Sequence, residues 1–311
     1  MRDGASQGSG FVSDRVTVLG VDLGGTYLRA AAADDRREIH AEVSEEVGEM
    51  TASRLVDRIV ELAEDLCDGS LDAITVGLPA PVSWSGEVGH VVNLPALSGM
   101  PVGPMLEREL GLPVVVENDV NLAALGEQRS GSAGGTEDMV FIGVGTGVGM
   151  GIVAGGRILH GAHGGAGELG RLPLDAERVG TGPGELGPLE EVAGGAGLAR
   201  RWSAHISRDA DGREVYAAAA AGDPVAVGLL ESQAAALAMG VRAVHALLDP
   251  ELVVFGGGIG SRPDVFRSVE QVLASRPLPL PSLAQSILGD RASLLGAVEA
   301  ALDATKGIVE R

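Results

Sequence analysis

At 311 residues the chain suits two domains or one two-lobed domain, and with 45% hydrophobic and 21% charged residues it buries a large core, which excludes wholesale disorder. Aromatic residues make up 3% while glycine fills 48 positions, so Val, Leu, Ala and Ile between tight turns build the core, as in an α/β protein, and few rings remain for stacking bases. The net charge of −20 opposes phosphate backbones and anionic lipid, and with Lys306 as the only lysine there is no Walker A loop and little scope for Schiff-base chemistry.

Residues 1–15 read as a loose Gly/Ser-rich tail without the apolar core of a signal peptide. Residues 16–22 form an apolar strand ending at Asp22, Gly24-Gly25-Thr26 a turn, and Tyr27 to Ala33 a second strand, with a more polar strand near Glu38–Val43. Leu55, Ile59, Leu62 and Leu66 have helical spacing over 51–67. Cys67, the single cysteine, falls in that helix and reads as packing, and a chain without an intrachain disulfide fits a reducing, cytoplasmic compartment. A buried strand over 71–79 is stopped by Pro79. A helix near 103–110, a strand over 114–119 and a helix from Asn121 to Arg129 follow. The opening pattern then returns: strand 139–145, a turn at Thr146-Gly147, strand 148–154. The uncharged run Val140 to Gly156 is broken by glycines and reads as a buried hairpin, not a membrane span. Helices fill 215–248, and the strand 252–255 ends in Gly256-Gly257-Gly258. The expected division is an N-terminal α/β lobe over 16–117, a second lobe over 118–290, and a helix near 291–305 packing back on the first, with a cleft between.

Each Gly turn has a functional and a plainer reading. Asp22-Leu23-Gly24-Gly25-Thr26 can close backbone N–H groups and a hydroxyl on phosphate, with Asp22 holding Mg²⁺ directly or through water, or it can be an ordinary hairpin. Gly145-Thr146-Gly147 can cradle phosphate in the same way. Gly149 to Ala154 imitates a dinucleotide fingerprint, but it lies inside a hairpin with no helix opening after it. Gly256 to Gly258 can admit a flat adenosine or can be a flexible loop. Asn118-Asp119, at the carboxyl end of a strand, can offer a carboxylate to a substrate hydroxyl or can simply cap the following helix.

Together, GVDLGGTYLRA (20–30), VVVENDVNLAALGE (114–127), FIGVGTGVGMGIVAGGRILHGAHGGAGELG (141–170) and LDPELVVFGGGI (248–259) resemble the ROK family of sugar kinases and related repressors, over about Val16 to Ala300. The resemblance implies the actin-like (ribonuclease H-like) ATPase fold, with two α/β lobes about a cleft. It implies phosphorylation of a hexose or aminohexose by ATP with Mg²⁺, at the 6-hydroxyl, in a homodimer. By matching motif, Asp119 is the base, and Asn93, Asn118, Asp119, Glu168 and Glu190 meet the sugar. Gly24, Gly25, Thr26, Gly145, Thr146 and Gly147 meet phosphate, and Gly256, Gly257 and Gly258 line the adenosine side. The family's repressors carry an added DNA-binding module, which fifteen loose residues do not supply. No nucleic-acid or membrane partner is expected.

Two departures stand out. Where many members have Glu-x-Gly-His, this chain has Glu168-Leu169-Gly170-Arg171, and where they carry a zinc cluster of cysteines it has Thr181, Pro183 and Pro188. No zinc of that kind can form. Gly187 and Pro188 suit a helix start that would present Glu190 in its first turn. Arg171 either contacts the sugar or pairs with Glu168 or Glu190 and shapes the pocket. A catalytically silent sugar sensor and a polyphosphate-dependent glucokinase remain as other readings.

Overall fold

Two five-stranded sheets of one plan organise the chain. β1 (Thr17–Leu23), β2 (Tyr27–Asp34), β3 (Ile39–Glu46), β4 (Ala73–Leu78) and β5 (Val114–Asn118) lie in the order β3-β2-β1-β4-β5. β6 (Met139–Val144), β7 (Val148–Ala154), β8 (Arg157–Ile158), β9 (Leu252–Gly256) and β10 (Ser282–Gln285) lie in the order β8-β7-β6-β9-β10. In each sheet the first three strands run antiparallel, and the last two run parallel to the first. The computed structural model describes residues 16–308 other than 49, 68–70, 84, 92–93, 175–185 and 276–278.

The helices are α1 (Ala52–Leu66), α2 (Val102–Leu110), α3 (Asp119–Ser130), α4 (Pro188–Ala193), α5 (Gly195–Ile206), α6 (Gly212–Ala220), α7 (Pro224–Leu248), α8 (Gly257–Gly260), α9 (Pro263–Ala274) and α10 (Ala292–Thr305). Burial follows pattern. β1 is a continuous apolar run and lies mid-sheet, while β3 alternates half-buried and exposed residues as an edge strand does. α1 turns Leu55, Ile59 and Leu62 onto the first sheet's core behind a Thr51 N-cap that accepts from Arg54 N–H (3.3 Å). Cys67 is buried as the C-cap of this helix, one residue past its end. α7 has the length and hydropathy of a membrane span, yet it packs on α4, α6 and α9 and puts Leu237, Val241 and Val244 into the second core.

Helices α3 and α10 are exchanged between the sheets. α3 leaves β5 and packs on β6 and β7; α10 follows β10 and packs on β1 and β4. They cross each other at glycines: a Cβ on Gly296 would collide with the Leu122 carbonyl, and one on Gly126 with the Ala292 carbonyl. The carboxyl ends of β1 and β5 are thereby tied to the second sheet's hairpin.

Several expected boundaries shift. The third strand runs to Glu46, not Val43. β5 stops at Asn118, because Asp119 already has helical backbone as the first residue of α3. Gly257 and Gly258 form no loop: with Ile259 and Gly260 they make one helical turn, α8.

Candidate active site

Asn118 and Asp119 sit where β5 becomes α3. The Asn118 side chain caps the helix, accepting from Val120 N–H (3.0 Å) and Asn121 N–H (3.3 Å). Asp119, in the first turn, is half-buried. Burial, and after it the negative charge of Asp22, push the Asp119 carboxyl up to about 7. The capping and functional readings of this pair are therefore compatible, since one residue caps and the next is presented.

Asp22, near the end of β1, is 5% exposed. Its Oδ1 accepts from Ser293 Oγ on α10 (2.7 Å), and Oδ2 lies 3.5 Å from Arg29 Nη1. Burial raises its pKa, helped by Asp290 and opposed by the Ser293 hydrogen bond and Arg29. The Asp22 charge raises the Asp119 pKa, and a carboxylate near a second carboxylate is the kind of oxygen donor a hard cation takes. Among the described residues no group of three or more His, Cys, Asp or Glu side chains could hold a metal ion, so a cation at Asp22 would need its remaining ligands from water and substrate oxygens.

The two hairpin turns differ in support. In the first, Gly24 N–H donates to Tyr27 O (2.9 Å) and Gly25 and Thr26 are exposed. In the second, Gly145 N–H donates to Gly147 O (3.0 Å), while the carbonyls of Gly145 and Thr146 accept from Gly195 and Ala196 N–H at the start of α5 (2.9 Å each). Glu190, in the first turn of α4 behind Gly187 and Pro188, accepts from Val148 N–H (3.2 Å) and Gly187 N–H (3.4 Å). The three glycines after β9 have separate reasons. A Cβ on Gly256 would enter the Phe141 ring, Gly257 has φ +78°, and Gly258 faces open space.

A pocket of about 50 Å³ is lined by Pro81 after β4, by Asn118 and Asn121 at the β5–α3 junction, and by Gly149, Gly167 and Glu168 among others. Arg171 Nε pairs with Glu168 Oε2 (3.0 Å), and the Arg171 side chain is 72% exposed. Asn93 and the segment holding Thr181 and Pro183 lie outside the described residues.

The ROK family profile matches residues 18–304. The chain belongs to the ROK family. A glucokinase from Halalkalibacterium halodurans is 33% identical over 295 residues, spanning 86% of this chain and 88% of that protein. Other curated relatives are bifunctional enzymes, and the chain spans about half of their length, 53% and 54%. A ROK hexokinase structure from Thermus thermophilus superposes with TM-score 0.84 at 33% identity, covering 94% of this chain and all of that one. A ROK glucokinase from Streptomyces griseus, in complex with glucose and AMPPNP, superposes with TM-score 0.75 at 28% identity, covering 92% and 99%. The two-sheet architecture is the actin-like ATPase fold of these kinases.

Four side chains escaped sequence reasoning: Glu117, His160, Arg29 and Ser293. Glu117 alone left a signal, a carboxylate inside an apolar strand, which must be satisfied when buried. His160 and Ser293 are brought in by tertiary contact, 43 and 271 residues from their partners Glu117 and Asp22.

Proposed function

We propose that this ROK protein phosphorylates a hexose or aminohexose with ATP, at the 6-hydroxyl, with Asp119 as general base. The observation that carries the reading is the Asp119 carboxyl, in the first turn of α3 between the pocket-lining residues Asn118 and Val120, with its pKa raised to about 7, near the value a base needs at neutral pH. Asn118 and Glu168, which line the pocket, orient the sugar, joined by Asn93 from the family motif. Glu190 acts mainly by fixing the start of β7, since its oxygens are taken by backbone amides. The turns Gly24-Gly25-Thr26 and Gly145-Thr146-Gly147 offer N–H and hydroxyl donors to the phosphates, and Gly256 to Gly258 leave room for adenosine. Mg²⁺ at Asp22, held directly or through water, supplies charge neutralisation on the phosphate oxygens. Asp119 takes the hydroxyl proton as the sugar oxygen attacks the γ-phosphorus in line and the bond from that phosphorus to the β,γ-bridging oxygen breaks, releasing ADP, so the ionised form of Asp119 is the active one.

The test is ADP release with ATP, Mg²⁺ and glucose, mannose, fructose, glucosamine, N-acetylmannosamine or kanosamine, run beside Asp119→Asn and with polyphosphate replacing ATP. Turnover with one sugar that vanishes in the variant supports the reading; turnover that survives the substitution contradicts it. A silent sugar sensor is the second reading, favoured by the Glu168 carboxylate being held by Arg171. It predicts calorimetric sugar binding without ADP release.

A further inference from the structure

Glu117 stands next to the proposed base but makes no contribution to the chemistry described so far. It is 7% exposed on β5, and its carboxylate is fully engaged. Oε1 accepts from Asn118 N–H (2.7 Å) and from Asn121 Nδ2 (2.8 Å). Oε2 lies 2.5 Å from His160 Nε2, whose N–H donates to the ionised carboxylate. Both oxygens thus fix the residues that flank Asp119: Asn118 before it, whose side chain caps α3, and Asn121 two positions after it. A buried carboxylate stripped of one of its three donors would turn or draw in water, and the Asn118 peptide it holds would turn with it.

The histidine at the far end of this chain of bonds belongs to the opposite wall. His160 follows β8, and Leu159 N–H holds the same stretch to Ile152 O on β7 (2.8 Å). The His160 carbonyl accepts from Ala166 N–H (3.0 Å), closing the loop that continues into Gly167 and Glu168. Asn118, Asn121, Ala166, Gly167 and Glu168 all line the same pocket. His160 is therefore the residue whose side chain grips the base turn and whose main chain grips the Glu168 loop.

We propose that His160 is a positioning residue for phosphoryl transfer, acting through Glu117 to set the Asn118–Asp119 turn against the loop that carries Glu168. The inference rests on the kinase reading above. Removing the donor leaves binding groups in place but loosens their alignment with the base, so the loss falls on kcat more than on the sugar KM. A role confined to fold stability would lower the unfolding midpoint and leave kcat per folded molecule alone.

The experiment uses the full chain and the sugar that wild type turns over best. His160→Ala is expected to lower kcat about 10–100-fold, with a smaller change in KM. His160→Gln, whose amide can still donate to Glu117, is expected to recover about tenfold of that loss. In a Glu117→Gln background, His160→Ala is expected to cost less than about threefold, because the two act as one unit. Urea midpoints measured alongside give the folded fraction. A kcat for His160→Ala within about threefold of wild type, no recovery by Gln, or costs that multiply in the double variant each overturn the proposal. Should His160→Ala not fold, Glu117→Gln decides alone, by a tenfold or greater fall in kcat against an unchanged one. A wild type silent with every sugar overturns the kinase reading and this inference together. An active wild type that Asp119→Asn abolishes, beside an unaffected His160→Ala, overturns only the role of His160.

Discussion

The two lobes share one strand order and one opening hairpin, yet they are finished differently. The first hairpin turn is held by its own Gly24–Tyr27 bond and by Val47 N–H on the Thr26 carbonyl (2.8 Å), and it stands open. The second is bolted at both carbonyls to α5 and at Val148 to Glu190 of α4. The connection between third and fourth strands explains the contrast. In the first lobe it is the single helix α1, whereas in the second it is the run α4 to α7. The fifth strands diverge as well: β5 delivers Asn118 and Asp119, while β10 delivers Ser286, whose hydroxyl donates to the buried Glu127 carboxylate of α3 (2.5 Å). On the proposed reading, the duplicated plan places chemistry at the end of one copy and bracing at the end of the other.

The sharpest way to test that division of labour is at the two fifth-strand ends. Asp119→Asn should lower kcat by about 10³–10⁴-fold while sugar affinity by calorimetry stays close to wild type. Ser286→Ala, at the matching end of the other copy, should act on the urea midpoint by about 1 kcal/mol and leave kcat per folded molecule unchanged. Equal kinetic damage at both ends would break the comparison.

The crossing of α3 and α10 holds the copies together, so Gly296→Ala should cost about 1–3 kcal/mol of stability, read from urea unfolding, although alanine is the better helix former. An unchanged midpoint would mean that the helices can separate without loss.

The pH behaviour isolates Asp119 within the first lobe. Because its folded-state pKa is raised to about 7, the folded protein holds this proton more tightly than the unfolded chain. That contribution to stability is full below the ordinary carboxylate range and is lost as pH rises towards and through about 7. Asp119→Asn should therefore be more stable than wild type by about 4 kcal/mol at pH 8 and by almost nothing at pH 3.5, with the gap opening in between. With the ionised carboxylate as the proposed base, wild-type kcat/KM should fall towards tenfold per pH unit below about 7.

The smallest effect is expected after β9. Gly258→Ala meets open space and should shift stability by less than about 0.5 kcal/mol while raising the KM for ATP. Gly257→Ala, at φ +78° and with its Cβ facing the Val144 carbonyl, should destabilise visibly in the same assay. A Gly258→Ala protein with an unchanged KM would remove this stretch from the nucleotide site.

Local pattern was enough for eight of the ten described strands, for most helices and for the two hairpin turns, because alternation, apolar runs and turn residues act over a few positions; the short edge strands β8 and β10 carry no such run and were not legible. The Gly187-Pro188 helix start that presents Glu190 was legible for the same reason. The Asn118-Asp119 pair was legible as a candidate in both of its roles, since an Asx at a strand end is either a cap or a presented carboxylate. The sequence alone could not say that Glu190 would be spent on backbone amides, or that Arg171 would pair with Glu168. Only the tertiary structure decided that Glu117 is satisfied by His160, that Ser293 reaches Asp22, and that α3 and α10 trade sheets. Those contacts join residues far apart in the chain, and what fixes them is the burial of polar groups that must find partners and the close approach that two glycines allow. Neither leaves a periodic mark in the sequence.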